Sequence, residues 1–236
     1  MSTNPKRVAY LLAAYPGPRL SGDPQDYAGD YALYIRYHLA KLEKLEHNCD
    51  IILGINEPSN CPPGLDEFLK GLQVECFLKP NTGASYGIWN ESFRRYPDYD
   101  YYILMEDDYV PVQDNFDKTL VDIAESTTAP YVCTMVGWGC GGGALPHAAI
   151  SNGIVNGDVV RDVMSKGGFP TSPHRVDSFG NSCGQVTFSQ RFLPYGNFED
   201  FVDRYKAPYW DINNIKMYYD HNKEVLLAPQ QWDIQQ

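Results

Sequence analysis

Tyr101-Tyr102-Ile103-Leu104-Met105, followed at once by Glu106-Asp107-Asp108, decides the fold. The first five residues form a continuous apolar run of strand length, the pattern of a strand buried on both faces. Three adjacent carboxylates then end it. Like charges side by side repel, so a stable fold gains nothing from the triplet. Open α/β sheets bind their ligands just outside the carboxyl ends of their strands. A hard divalent cation, Mg²⁺ or Mn²⁺, prefers oxygen ligands and would offset the repulsion, completing its shell with water and substrate phosphates. The triplet therefore predicts a phosphate-bearing substrate docked through a metal.

Working back toward the N-terminus, strand and helix signals alternate. Arg7–Ala14 (RVAYLLAA) is a buried-strand run ended by Tyr15-Pro16-Gly17-Pro18. Tyr31, Ile35, Leu39, Leu42 and Leu45 recur at helical spacing, with Asp30 placed to cap. Asp50–Ile55 reads as a second strand, Leu65–Leu72 as a short helix, Val74–Leu78 as a third strand and Ser85–Tyr96 as a third helix. The order βαβαβαβ over the first 108 residues predicts an α/β fold. Its sheet is mixed and mostly parallel, with helices on both faces.

Beyond the triplet the pattern is less regular. Asp114 is placed to cap a helix over Asn115–Glu125, Tyr131–Val136 and Ala148–Val155 read as strands, and Asp158 is placed to cap a helix reaching Lys166. Gly137–Gly143 is a glycine-rich loop around Trp138, a helix is expected over Gln185–Leu193, and Glu224–Ala228 reads as a last strand. No repeat or low-complexity linker divides the chain, so residues 1–236 read as one domain. Its regular half, 1–110, holds the acidic strand end, and its irregular half is 111–236.

Composition narrows the class. The chain has 236 residues and a formal charge of −11, from 19 Lys and Arg against 30 Asp and Glu, which argues against a nucleic-acid partner. Hydrophobic residues make up 43%, enough for a core. The 18 tyrosines suit flat, polar ligands as well as half-buried packing. None of the six cysteines forms a CxxC pair, which excludes the usual zinc spacing. No apolar stretch approaches the roughly 20 residues of a membrane span. Met1–Lys6 is polar and leads straight into the first strand, so a cytoplasmic location with reduced thiols and no transmembrane segment is expected.

From Asn81 to Asp108 the sequence resembles nucleotide-sugar glycosyltransferases of the Rossmann-like GT-A fold, and is most similar to the large family 2 type. Asn81-Thr82-Gly83, then Ser85, Gly87 and Asn90, resembles that family's N-x-G-x-x-x-A-x-N helix start. Glu106-Asp107-Asp108 resembles its D-x-D motif in the E-D-D form. Gly167-Gly168-Phe169 resembles a G-G-F turn, and Val186–Phe192 the helix after it. The set covers roughly Arg7 to Leu193 in the family's order.

The resemblance implies a nucleotide-sugar donor, UDP- or GDP-linked, a glycan or glycoprotein acceptor and a Mn²⁺ or Mg²⁺ cofactor. It assigns the metal to Asp108, with Glu106 supporting, and Asp107 to the donor ribose or sugar. Ala14, Tyr15, Asn56 and Glu57 would hold base and ribose, with Asn81 and Gly83 beside the nucleotide. A C-terminal histidine often completes the metal site, and His174 or, by position, His221 would supply it. Trp138, among glycines that let a loop approach a ligand, suits an acceptor sugar's CH face. Tyr195, Tyr209 and Trp210 are further acceptor-side aromatics.

The family pattern breaks where an E-D pair normally carries the catalytic base, because Gly184-Gln185 stands there. Glutamine takes no proton. Asp177, in the preceding loop, is the first candidate, and Glu199 with Asp200 the second. Two other classes stay open. A sugar-phosphate nucleotidyltransferase shares sheet and substrate, but Tyr15–Arg19 lacks the lysine its loop normally carries. A non-catalytic nucleotide- or carbohydrate-binding module is the other.

Overall fold

A computed structural model describes residues 5–16, 33–57, 64–107, 109–138, 146–170, 184–201 and 209–211. The apolar runs become the strands of one seven-stranded sheet. The first four are β1 (Val8–Ala14), β2 (Asp50–Glu57), β3 (Glu75–Pro80) and β4 (Tyr101–Glu106), which pair in the order β3-β2-β1-β4, all parallel. The chain winds outward from β1 to β3 and then crosses back to place β4 on the other side of β1. The β1–β4 crevice is therefore the topological switch point, the place where such sheets take their ligands.

Beyond β4 the sheet continues with β7 (Pro146–Asn156), β6 (Tyr131–Trp138) and the two-residue β8 (Glu199–Asp200). Only β7 runs against the rest: it is antiparallel to both β4 and β6, while β8 is parallel to β6. Gly153 makes this junction possible. Its φ is +158°, and a Cβ there would lie 2.1 Å from the Val132 carbonyl oxygen. A separate two-stranded ladder joins β5 (Tyr109–Pro111) to β9 (Tyr209–Asp211).

Helices cover both faces. On one lie α1 (Leu33–Lys44), α2 (Leu65–Lys70) and α4 (Phe116–Thr127), whose Ile35, Leu42, Phe116 and Leu120 pack with Tyr10, Leu12, Ile103 and Met105. On the other lie α3 (Ala84–Arg95), α5 (Gly157–Ser165) and α6 (Gly184–Gln190). This second core is aromatic: Trp89, Phe93, Tyr102, Phe169, Phe188 and Phe192 are all buried. The Phe169 and Phe188 rings lie 4.6 Å apart, within the range of favourable aromatic packing.

Two expected caps are replaced. Asp158 does not cap α5; Asn156 does, its side chain accepting from the Asp158 and Val159 N–H groups, while Asp158 pairs with Arg161. Asp114 does not cap α4 either. Its carboxylate accepts the Glu46 N–H and that of Asp117 accepts the Asn48 N–H, tying α4 to the α1–β2 connection. Asn115, at φ +54°, stands at the cap position without a side-chain bond. The helix expected to Leu193 stops at Gln190 and gives way to a 3₁₀ turn at Leu193–Tyr195. Asp30 and the strand expected at Glu224–Ala228 lie outside the described residues. Among the described residues no helix is long and apolar enough to cross a membrane.

Candidate functional site

Register fixes which residues meet at the carboxyl edge. Ala14 pairs with Ile55, Ala13 with Glu106, and Glu57 with Pro80. The ends of β3, β2, β1 and β4 thus bring Glu57, Asn56, Ala14, Tyr15, Glu106 and Asp107 onto one rim.

Asp107 closes the switch point. Its N–H donates to the Ala13 carbonyl at 3.1 Å, and its carboxylate accepts the Tyr15 N–H at 3.1 Å. Asp107 is only 5% exposed. Tyr15 thus acts here through its main chain. Ala14 is buried. Asn56 is also buried, and its Oδ1 has no hydrogen-bond partner. Glu57 is exposed.

Glu106 turns to the α3 side, where its carboxylate accepts the Ser85 hydroxyl at 2.5 Å. Its main-chain N–H donates to Asn152 Oδ1 at 2.8 Å, just past the last β4–β7 pair, Leu104 with Gly153. Neither Ser85 nor Asn152 stands among the site residues expected from sequence. Ser85 was within reach, as part of the N-x-G helix start. Asn152 carries no local signal, because it acts from a strand 46 positions away.

The Asn81–Gly83 segment is an exposed loop held from below by a lysine. Lys79 Nζ donates to the Pro80 and Thr82 carbonyls at 2.8 and 2.7 Å, and to Thr82 Oγ1 at 2.9 Å. Burial lowers its pKa, against the pull of Glu91. Gly87 is needed at this closure, because a Cβ there would lie 2.0 Å from the Thr82 carbonyl oxygen. Asn90, from the same motif, meets the G-G-F turn: its Oδ1 accepts the Phe169 N–H at 3.3 Å. Segments about 80 residues apart in sequence thus join behind the rim.

Behind Asp107 lies a residue that the motifs leave out. His38, on α1, is fully buried and shares a 2.5 Å hydrogen bond with the Tyr10 hydroxyl. Burial lowers its pKa to about 4 and outweighs the opposing influence of Asp107. The ring is therefore neutral at pH 7. Its helical spacing from Ile35 and Leu42 puts it on the buried face of α1.

Strands β6 and β7 stay paired to Trp138 and Pro146, beyond the end of β4. At about 3.3 Å per residue this carries the Trp138 backbone about 10 Å past the level of Glu106. Asp200 sits on the far side of β6, its carboxylate accepting the Val136 N–H at 3.1 Å beside a register shift in β6. Three strand spacings, about 14 Å, separate β8 from β4. Glu199 pairs with Val132, and its carbonyl faces the Cys133 thiol at 3.6 Å. Tyr195 is engaged away from the rim, donating to Asp162 at 2.6 Å. Tyr209 and Trp210 lie in β9. Asp108, Asp177, His174 and His221 lie outside the described residues.

The described carboxylates do not assemble a metal site by themselves. Among the described residues no group of three or more His, Cys, Asp or Glu side chains could hold an ion. Glu106 and Asp107 each accept a bond from a different element, Ser85 on α3 and the Tyr15 N–H at the exit of β1.

No protein-family model matches the chain, and no curated protein sequence matches it. Solved structures do. CMP:2-keto-3-deoxy-manno-octonic acid synthetase, complexed with CTP, superposes with a TM-score of 0.54 at 14% identity, over 91% of this chain and 99% of that one. TarS from S. aureus gives 0.55 at 11% identity over 94% of this chain, which spans only 42% of TarS. A cytidylyltransferase from Leptospira borgpetersenii gives 0.52 at 12% identity, over 94% of this chain and 97% of that one. At such identities the likeness is one of fold: a Rossmann-like, mostly parallel α/β sheet of the kind found in GT-A enzymes and nucleotidyltransferases.

Proposed function

We propose that the protein is a glycosyltransferase that moves a sugar from a nucleoside-diphosphate sugar to an acceptor hydroxyl with the help of Mn²⁺ or Mg²⁺. The observation that carries this reading is the Asp107 carboxylate bonded to the Tyr15 N–H across the switch point. That bond fixes an acidic rim at the place where this fold takes a nucleotide. Two neighbours of similar fold are described in complex with nucleotides, one with CTP and a TarS fragment with UDP.

In this reading Ala14, Tyr15, Asn56 and Glu57 line the base and ribose, with the unpartnered Asn56 Oδ1 available to a base-edge donor. Asn81 and Gly83 border the nucleotide. UDP and GDP are the donor nucleotides to try first. Asp108 holds the cation, with His221 as the candidate to complete its shell. The cation, when bound, supplies Lewis-acid stabilisation of the departing diphosphate. Asp177 takes the acceptor's proton, with Glu199 and Asp200 next in line. The β6–β7 hairpin carries Trp138 toward a glycan or glycoprotein acceptor. The whole forms one domain, with the donor in 1–110 and the acceptor in 111–236, and inversion at the anomeric carbon fits a single base.

One observation favours a second reading, sugar-phosphate nucleotidyl transfer. The chain matches 99% and 97% of the lengths of the two nucleotide-transferring neighbours, against 42% of TarS. Product analysis separates the two. Release of nucleoside diphosphate from a nucleotide sugar with Mn²⁺ is expected. Release of pyrophosphate from a nucleoside triphosphate and a sugar phosphate would replace it with the second reading. Binding without either turnover would favour a non-catalytic module.

A further inference from the structure

One hydroxyl fastens the start of α3 to the acidic rim. Ser85 donates to the Glu106 carboxylate at 2.5 Å, and Glu106 is fixed in turn through its main chain by the buried Asn152. The start of α3 needs such a tie. Its cap residue is Gly83, at φ +80° with no side-chain cap bond, and Ala84 follows at φ +47°. A left-handed alanine is strained. Tyr86 adds a second tie, its hydroxyl lying 2.9 Å from Ser151 Oγ on β7. The successive carboxylates of Glu106 and Asp107 meanwhile go to different partners, one on α3 and the other at the exit of β1.

We propose that Glu106 is a positioning residue and not a metal ligand. Its carboxylate locks Ser85, and through it the strained Gly83–Tyr86 turn, against the rim, so that this turn meets the nucleotide in one geometry. The assignment rests on the nucleotide-sugar reading above. It separates Glu106 from Asp108, although the two belong to one acidic motif. The distinguishing chemistry is simple. Glutamine at 106 still accepts the Ser85 hydroxyl but loses the charge that a metal ligand needs; alanine loses both.

The test compares Ser85→Ala, Glu106→Ala, Glu106→Gln and the Ser85→Ala/Glu106→Ala double variant. Amide hydrogen exchange without ligand reads the first turn of α3 at Gly87–Trp89. Ser85→Ala and Glu106→Ala are expected to speed exchange there by about tenfold, the double variant by no more, and Glu106→Gln by little. The second reading is the Mn²⁺ concentration at which UDP or GDP gives half its thermal protection. Glu106→Gln is expected to leave that midpoint at the wild-type value. A midpoint raised by about tenfold or more in Glu106→Gln, the usual cost of losing metal affinity, overturns the proposal. Unchanged exchange in both alanine variants overturns it equally. If no nucleotide protects the wild type with any cation, the glycosyltransferase reading fails, while the exchange result still decides the Ser85–Glu106 tie.

Discussion

At the scale of single residues, the position of Glu106 and Asp107 at a strand end was legible and their partners were not. Glu106 and Asp107 stand where the end of an apolar run places them. Ser85, Asn152 and the Tyr15 N–H reach them from 21, 46 and 92 positions away, and no local pattern encodes such distances. His38 is the clearest residue-scale consequence of burial. Its folded pKa of about 4 lies below the ordinary 6.5, so between these values the unfolded chain binds the proton and the folded chain does not. The stability it contributes is therefore complete above pH 6.5 and is lost as pH falls toward 4. Linkage puts the loss at about 3 kcal/mol. Urea unfolding at pH 7 and pH 4.5 should show His38→Gln losing less stability on acidification than the wild type. An equal loss would show that His38 carries its charge in the folded protein.

At the scale of elements, legibility followed length. The apolar runs gave β1, β2 and β4 within two residues at each end, because a buried strand announces itself by continuous hydrophobicity, and the shorter mixed run Val74–Leu78 gave β3 as closely. β5, β8 and β9 have three, two and three residues, too few for any period, and none was expected. Caps were misread where two candidates stood close together. At α5, Asn156 lies two positions before Asp158, and only the residue with extended backbone, at φ −73° and ψ 129°, can turn its side chain onto the first free N–H groups. Asn156→Ala should therefore cost about 1 kcal/mol. Asp158→Ala, which gives up an exposed pair with Arg161, should cost less than half of that. Chemical denaturation of both variants orders them, and a reversed order would return the cap to Asp158. The G-G-F turn and the N-x-G helix start, read as separate motifs, meet through Asn90 and Phe169. Asn90→Ala removes the acceptor of the Phe169 N–H, with an expected cost of about 1–2 kcal/mol in the same assay.

At the scale of the whole molecule, the alternation of strand and helix fixed the sheet, and the order of winding fixed its switch point. The second half, 111–236, was less legible, since Asp177 and His221 stand in loops without periodicity and both lie outside the described residues. The charge of −11 sets the terms for an anionic substrate. Under the proposed function, a nucleotide diphosphate approaches this rim together with a cation that reverses the sign of the field there. Nucleotide binding and cation binding should therefore be coupled. The most direct test is thermal unfolding with UDP or GDP, with Mn²⁺ and with chelator in its place. At about a hundredfold excess over the dissociation constant, the account predicts roughly 2.7 kcal/mol of protection, a rise in Tm of about 5–10 °C, seen only with the cation. An unchanged Tm with every nucleotide in the presence of Mn²⁺ would contradict it.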